Sequence, residues 1–465
     1  MLWRSWEPEA GTPSWDPELA APVPPAAPLP ILKYLWTARK NAVAAFHADV
    51  YRQWIVETKH WKLHTFIVND PAGIRHVLVD NADNYVKGTI EPRIASAVSR
   101  TDFIAQNNWR DRRRTMSSAL QPRGITGNSS AVLDATQALV ERWRALPEGA
   151  VIDVSSEMAR LTLEIMSAIA FSSDSAGMIP VMEQTLARNQ AEPLFDLLDF
   201  APLLDRSWAA FKRKRARRAL NRVTAFIQEA IRKRSAGNAT YDDLLGRLMR
   251  ERNAKTRLPL SNEEIQNQIA TFIEAGCLSI SFALTWTWYL LSQHPDEEAR
   301  LHTELREVLD GNLPASEDIS RLRYTRLVIE ESLRLYPPLH TLPWRGALDD
   351  DEVSGVRIPK GATITIVPWI LHRHEKLWDR PGQFEPSRFS RDGVEGRPGY
   401  AYLPFGAGPR GCIGPSFMMV ALAQVVAAIA QRYRLRLLPN HPIEVQGLAY
   451  LGPRHGLKMT VEKRR

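Results

Sequence analysis

The residues of this chain that are best suited to chemistry lie in one ten-residue stretch, residues 405–414, with the sequence FGAGPRGCIG. It holds four glycines and Cys412, one of the chain's two cysteines. Clustered glycines let a backbone approach another group closely, and a cysteine ionises readily beside positive charge or a helix N-terminus. Arg410 lies two residues upstream, and Pro415 is typical of a first helical residue. We therefore predict a thiolate metal ligand in a loop that lies flat against a planar cofactor. The alternative is a buried structural cysteine.

The same ten residues resemble the haem-binding signature of the cytochrome P-450 family, Phe-x-x-Gly-x-Arg-x-Cys-x-Gly, at every fixed position. The resemblance covers roughly residues 66–460. It implies that Cys412 binds the iron of haem b, iron protoporphyrin IX. It also implies that several residues of the loop contact the cofactor: Phe405, Gly406, Arg410, Cys412 and Gly414.

Further haem contacts are implied by the stretch NNWRDRRR, residues 107–114, which resembles the family's Trp-x-x-x-Arg motif. Trp109 and Arg113 occupy its two fixed positions, and an arginine there can form two charge-assisted hydrogen bonds to a haem propionate. Arg345 stands where the family supplies another propionate partner, as does Arg410. The remaining arginines form either a solvated face or the docking surface for an acidic electron donor: Arg110, Arg112 and Arg114.

A structural ion network is the next expectation. The tetrapeptide ESLR places Glu331 and Arg334 three residues apart, on one helical face, and resembles the family's Glu-x-x-Arg motif. The stretch FEPSRF supplies Arg388. By itself the pair could be a surface ion pair. The resemblance implies instead a buried network of all three residues near the haem, with a structural role.

The segment AGCLSISFALTW, residues 275–286, resembles the oxygen-activation segment Ala-Gly-x-acid-Thr of the family. Ala275 and Gly276 match, and the resemblance implies that they let the cofactor and oxygen approach the helix. Leu278 stands where the family has the acid, and Ser279 where it has the threonine. The hydroxyl for proton delivery is kept and the carboxylate is missing. Ala421, where many members carry Glu, is a second departure.

The substrate pocket is expected to be apolar. The family lines it from segments that correspond here to about residues 88–108 and 190–205, and from Ala275 and residues 339–343. The residues we expect to contact substrate are Phe272, Leu339, His340 and Leu342. Two further histidines, His372 and His374, are interpreted as structural.

Composition indicates a soluble globular protein of 465 residues, 44% hydrophobic, with a net charge of +8. No nucleic-acid motif accompanies the positive charge, so an acidic protein is the expected partner. Two cysteines cannot form a disulfide framework and fit a reducing compartment. The amino-terminal residues show neither a signal peptide nor an anchor, and we expect a cytoplasmic monomer. Residues 1–35 are expected to form a proline-rich arm, and residues 36–465 a single catalytic domain.

Periodicity predicts a mostly α fold with a small β part, which for this family means a long central helix over the haem and the cysteine loop beneath it. Ser261 and Glu264 form a capping box for a helix that runs to about Gln293, roughly 50 Å long. Two uncharged runs, residues 275–295 and 411–431, are interpreted as buried core helices. The other predicted elements are a helix over 39–60, a strand over 63–69, helices from Pro71 and over 415–432, terminal strands, and breaks near 121–128, 235–240 and 253–260.

The predicted activity is that of a haem-thiolate monooxygenase that inserts one atom of O₂ into an apolar substrate. The sequence has no flavin or iron–sulfur motif, so the electrons must come from separate proteins of the ferredoxin or flavodoxin type. The basic face on the Cys412 side is their expected docking surface. The alternatives are a peroxygenase, isomerase or lyase, which Leu278 favours, and a non-catalytic haem protein that binds a ligand.

Overall fold

The structure is a computed structural model, and it describes residues 19–60, 63–87, 109–119, 122–172, 179, 222–237, 241–252 and 257–464. The α-helices are α1 Ile31–Lys40, α2 Pro71–Arg75, α3 Trp109–Ala119, α4 Pro122–Arg144, α5 Val154–Phe171, α6 Leu244–Arg250, α7 Asn262–Gln293, α8 Pro295–Leu309, α9 Arg323–Leu335, α10 Pro368–Leu371, α11 Arg391–Val394 and α12 Pro415–Ala430. Residues 222–236 are also helical. Single turns of 3₁₀ or π geometry are Ala42–Ala45, Ala48–Tyr51, His76–Asp80, Asp318–Ser320, Pro386–Phe389 and Gly408–Arg410.

Short strands make up the β part. They are β1 Ile55–His60, β2 Leu63–Val68, β3 Tyr85–Lys87, β4 Ala150–Asp153, β5 Arg345–Ala347, β6 Asp351–Val353, β7 Val356–Ile358, β8 Thr363–Thr365, β9 Tyr433–Leu437, β10 Val445–Gly447, β11 Leu451–Pro453 and β12 Lys458–Lys463. Five of them form a sheet in the order β1-β2-β8-β5-β3, and β4-β12-β9 form a second. In the larger sheet β1 and β2 are antiparallel, with Ile55 opposite Val68, and β8 lies parallel to β2, with Thr363 opposite Thr65.

Helix α7 is the long central helix against which other helices pack. Ser261 Oγ accepts a hydrogen bond from the Glu264 N–H at 3.2 Å, and Glu264 Oε2 accepts one from the Ser261 N–H at 2.9 Å, so the predicted capping box is confirmed. The helix packs against α5, α9 and α12. Within the described residues it is the one helix long and apolar enough to cross a membrane, and 67% of its apolar window is buried inside the protein. It is the core helix of the fold.

Two sequence predictions of secondary structure are wrong. Residues 39–60 do not form one helix, because α1 ends at Lys40 and β1 begins at Ile55, where it pairs with β2. The break predicted near 121–128 is absent over residues 122–128, since α4 begins at Pro122 and continues through two glycines. Glycine disfavours a helix by only about 1 kcal/mol, and α4 recovers this by packing against α5 and α12.

The amino-terminal segment is joined to the core from residue 19 onwards. The Ala20 N–H donates to Tyr289 Oη at 2.9 Å, and Tyr336 Oη donates to the Ala20 carbonyl at 2.8 Å. Helix α1 crosses the boundary predicted at residue 35. The division into an arm and a catalytic domain stays a prediction.

Candidate active site

Cys412 lies in a tight loop that ends where α12 begins. Its N–H donates to the Phe405 carbonyl at 2.8 Å, which closes the loop, and its Sγ accepts from the Gly414 N–H at 3.3 Å. The Arg113 guanidinium, from α3, donates to the Gly411 carbonyl at 2.5 Å. These contacts fix the direction of the thiol, which is exposed to a cavity between the loop and α7.

The charge state of Cys412 is set by opposing effects. Burial of the sulfur raises the pKa of the thiol above its usual value, and the Gly414 N–H and the charge of Arg113 oppose this rise only in part. The sequence pointed to Arg410 as the nearby charge. In the structure the Arg410 guanidinium lies 3.6 Å from the centre of the Trp109 ring, so the two residues expected at the haem edge stack on each other.

Gly408 and Gly406 are the two glycines of this loop that adopt positive φ angles, +68° and +65°. At Gly408 a Cβ atom would lie 1.8 Å from the Leu78 carbonyl oxygen. Any other residue would therefore push the loop away from the His76–Asp80 turn. Gly414 has no atom of another residue near its missing Cβ. Part of the glycine content thus serves the packing of the loop itself, a reason the motif alone does not reveal.

The cavity has a volume of about 280 Å³. Helix α7 forms one wall, the Cys412 loop and the start of α12 form the opposite wall, and α3 and α5 close the side. The lining residues are Trp109, Arg113, Met116, Met166, Gln268, Thr271, Phe272, Ala275, Gly276, Ser279, Ile280, Arg410, Gly411, Cys412, Ile413, Gly414, Phe417 and Met418. Most are apolar, so the site suits an apolar guest that carries a few charged groups at its edge.

The α7 wall presents Ala275 and Ser279 to this cavity. Ala275 is exposed there, and Ser279 Oγ donates its proton to the Ala275 carbonyl one turn earlier. Gly276 has a further role, because a Cβ atom at this position would lie 2.1 Å from the end of the Met166 side chain. The glycine therefore lets α5 pack against α7.

The two positions that depart from the family pattern are both buried. Leu278 is only 2% exposed and is absent from the cavity wall, and Ala421 is fully buried in α12. A carboxylate at residue 278 would enter the apolar core rather than a wet channel.

Other predicted site residues lie outside the cavity wall. Arg345 is buried and donates to the Pro343 carbonyl at 2.7 Å. His340 Nε2 donates to the Leu448 carbonyl at 2.7 Å, and burial lowers the pKa of this histidine to about 4, so the ring is neutral. Leu342 belongs to a buried cluster beside the larger sheet, and Leu339 packs against that cluster. The predicted pocket segments 88–108 and 190–205 lie outside the described residues.

The predicted ion network is present as a set of contacts. Arg334 donates to both Glu331 carboxylate oxygens at 2.7 Å, and both side chains are fully buried. Arg388 lies 3.5 Å from Glu331. Arg334 also donates to the carbonyls of three residues in the coil that follows α10: His372, Pro381 and Gln383.

The two histidines interpreted as structural are held by the backbone. His372 Nε2 accepts from the Leu403 N–H at 2.8 Å and its Nδ1 donates to the Arg334 carbonyl, which links α9 to the chain just before the Cys412 loop. His374 donates to the Gln53 carbonyl and stacks on Trp54. In the part of the chain that is described, no group of three His, Cys, Asp or Glu side chains is arranged to hold a metal ion.

These residues fit an iron porphyrin. The cavity offers one soft sulfur donor, Cys412, which on binding iron would supply the thiolate that haem-thiolate sites require, and it has apolar walls on the side of α7. Arg113 and Arg410, with Trp109, supply positive charge at the edge, where the propionates of a haem would lie.

Comparison with known proteins identifies the family of the chain. The sequence profile of the cytochrome P-450 family matches residues 22–454. Cyclooctatin synthase of Streptomyces melanosporofaciens is 31% identical over 84% of each chain. Cyclooctat-9-en-7-ol 5-monooxygenase of the same organism is 29% identical over 83% of each chain. Pentalenene oxygenase of Streptomyces avermitilis is 30% identical over 73% of this chain and 74% of its own.

A solved structure with the same fold is the retinoic acid bound cyanobacterial CYP120A1. It superposes with a TM-score of 0.76 over 88% of this chain and 92% of its own, at 23% identity. The predicted fold class is therefore confirmed, and so is the predicted class of enzyme, an oxidoreductase that uses O₂. The chain belongs to the cytochrome P-450 family and is a haem-thiolate monooxygenase.

Proposed function

We propose that this enzyme oxygenates a compact cyclic alkene or its alcohol, with haem b bound through Cys412. The observation that carries the proposal is the apolar wall of α7 opposite the thiol, formed by Phe272, Ala275 and Ile280. Two relatives support it by their names, since one is named for an alkene alcohol, cyclooctat-9-en-7-ol, and another for pentalenene.

When bound, a thiolate-ligated haem activates O₂ and delivers one oxygen atom to the substrate. The protein's own residues supply the rest. Cys412 is proposed as the residue that would bind the iron, with the Gly414 N–H and Arg113 partly offsetting the rise that burial causes in the pKa of its thiol. Arg113 and Arg410 are proposed to neutralise the propionates. The apolar residues of the wall hold the substrate by their shape.

Proton delivery is proposed to depend on Ser279. Its own proton is donated to the Ala275 carbonyl, so its oxygen lone pairs can accept a hydrogen bond from water in the cavity. Leu278 contributes no proton because it is apolar and lies in the core.

The test of the substrate class is a titration of the haem absorption spectrum. Cyclic alkenes and cyclic alcohols should shift the Soret band and give oxygenated products with NADPH and a donor protein, whereas charged aromatic acids of equal size should do neither. Binding of only the charged acids would contradict the proposal. Release of the haem by acid solvent, with the absorption spectrum of iron protoporphyrin IX in the extract, would identify it as haem b.

The electron donor is proposed to be a ferredoxin or flavodoxin that docks near the Cys412 loop. Arg110 and Arg114 are exposed on α3, and exposed Arg326 lines a cleft with Phe405. An acidic donor complements this charge. Reduction rates measured with each donor at rising salt would test the surface, since association by charge slows as salt increases.

A monomer in the cytoplasm is also proposed, and gel filtration and cell fractionation would check it.

Ser279→Ala is expected to lower the product formed per NADPH at least about twofold, with more hydrogen peroxide released. The reason is the loss of the hydroxyl that holds water on this wall, a modest part of the 10²–10⁴-fold that a positioned acid or base contributes. Ser281→Ala is the matched control, because Ser281 is buried and donates to the Leu278 carbonyl. Equal and near-complete coupling in wild type and Ser279→Ala would refute the role of this serine.

Leu278→Glu, which restores the family's acid, is expected to destabilise the protein rather than improve coupling. A carboxyl group at this buried position would lose its hydration, and its burial costs about 2 kcal/mol or more. Leu278→Met, of similar volume, should cost less than about 1.5 kcal/mol. Thermal unfolding and product per NADPH check both variants. A Glu variant as stable as wild type and better coupled would show that residue 278 reaches water.

A further inference from the structure

Gln268 is one of the polar residues that α7 contributes to the cavity wall, together with Thr271 and Ser279. It lies two turns before Ala275 on the same helical face and is 2% exposed. It lines the cavity, and its side-chain oxygen Oε1 is buried without a hydrogen-bond partner among the residues that the structure describes. No other residue of the described cavity wall has a buried side-chain polar atom in this condition.

Neighbouring polar side chains of the same helix do have partners. Gln266 Oε1 accepts from Gln228 Nε2 at 3.2 Å, and Thr271 Oγ1 donates to the Asn267 carbonyl at 2.8 Å. A buried amide oxygen that stays unpaired is unfavourable, and such groups in native proteins are rare. An acceptor left unpaired beside a ligand cavity is explained if the ligand brings the donor.

We infer that Gln268 accepts a hydrogen bond from a hydroxyl group of the substrate and so makes the enzyme select a cyclic alcohol over the parent hydrocarbon. This inference rests on the proposed substrate class and narrows it. Ala275, which is exposed to the cavity, lies seven residues after Gln268 in α7. Seven residues of helix span about 10 Å. The substrate therefore carries its hydroxyl about 10 Å from the part that lies against Ala275.

Selection of this kind has a physical basis. A site that must hydrogen-bond a hydroxyl rejects the analogue without it, because the acceptor is then left buried and unpaired. The apolar part of the wall contributes similar contacts to both molecules. Gln268 is thus a specificity-determining residue.

The experiment compares Gln268→Leu with Gln266→Leu, the same substitution at a glutamine whose amide has a partner in the protein. Dissociation constants are measured by haem spectral titration for a panel of cyclic alcohols, each paired with its deoxy hydrocarbon. In wild type and Gln266→Leu at least one alcohol should bind tenfold or more tightly than its hydrocarbon. In Gln268→Leu that ratio should fall to near one, through weaker binding of the alcohol alone. Gln268→Met should behave in the same way.

The melting temperature of the ligand-free proteins is a second readout, and the two variants are expected to change it in different directions. Gln268→Leu should melt at or above the wild-type temperature, because an unpaired buried polar group is removed, whereas Gln266→Leu should melt lower. A lower melting temperature for Gln268→Leu would show that the amide has a structural partner and would overturn the inference. An unchanged alcohol preference in Gln268→Leu would do the same. If no alkene or alcohol of the panel binds wild type, the proposed substrate class fails, and the inference fails with it.

Discussion

Replacing Cys412 by alanine is expected to abolish the thiolate-type carbon monoxide spectrum of the haem and all NADPH-driven oxygenation. Cys412 is the cysteine whose sulfur faces the cavity, and alanine has no donor atom to replace it. A haem bound without this residue would lack the thiolate electron density that favours oxygen activation. The measurements are the reduced carbon monoxide difference spectrum and product formed per haem.

The control for this experiment is Cys277→Ala. Cys277 is 1% exposed in α7, its thiol donates weakly to the Thr162 carbonyl at 3.7 Å, and burial raises the pKa of the thiol far above its usual value. It behaves as a small apolar side chain. The Cys277 variant should therefore keep the spectrum and the activity. Loss of the thiolate spectrum in this variant alone would show that the ligand has been assigned to the wrong cysteine.

The sequence predicts well those helices whose capping residues and first-position prolines lie in the helix itself or next to it. The capping box of Ser261 and Glu264 sets the start of α7, and the uncharged run that follows carries the helix to Gln293. Pro71 and Pro415 likewise stand at the first positions of α2 and α12. In each case the start of the helix is determined by residues at or within a few positions of its first turn.

The errors arise where distant residues decide the structure. Residues 55–60 became a strand because β2 offers an antiparallel partner, which outweighs the helical pattern of the preceding residues. The reasons for two glycines are also non-local: Gly408 approaches the Leu78 carbonyl, and Gly276 makes room for Met166. No local pattern contains these contacts.

The candidate site shows the same division. A motif of ten residues pointed to Cys412, and the structure adds that Arg113, rather than Arg410, is the arginine that lowers the pKa of the thiol. Gln268 was missed, although a signal existed, since it lies seven residues before Ala275 and therefore on the same helical face. What the sequence could not supply was the unpaired state of its oxygen.

Arg334→Lys is expected to destabilise the protein by about 2 kcal/mol or more, because each buried acceptor left without its donor costs about 1–3 kcal/mol. Arg334 uses its guanidinium in five hydrogen bonds, two to Glu331 and three to backbone carbonyls of the coil after α10. Lysine has three donors and no planar fork, so it cannot satisfy both the carboxylate and the carbonyls. Chemical unfolding, followed by circular dichroism, measures the loss.

The matched control is Arg326→Lys on the same helix. Arg326 is exposed and pairs with Glu330 at 3.1 Å, an interaction worth about 0.5 kcal/mol or less. The Arg334 variant should also lose haem, because His372 joins the Arg334 carbonyl to the Leu403 N–H, nine residues before Cys412, and a loosened coil no longer fixes that loop. Equal stability and equal haem content in the two variants would show that the buried network is dispensable. If only the Arg334 variant lost stability yet kept its full haem content, the network would support α9 without positioning the cysteine loop.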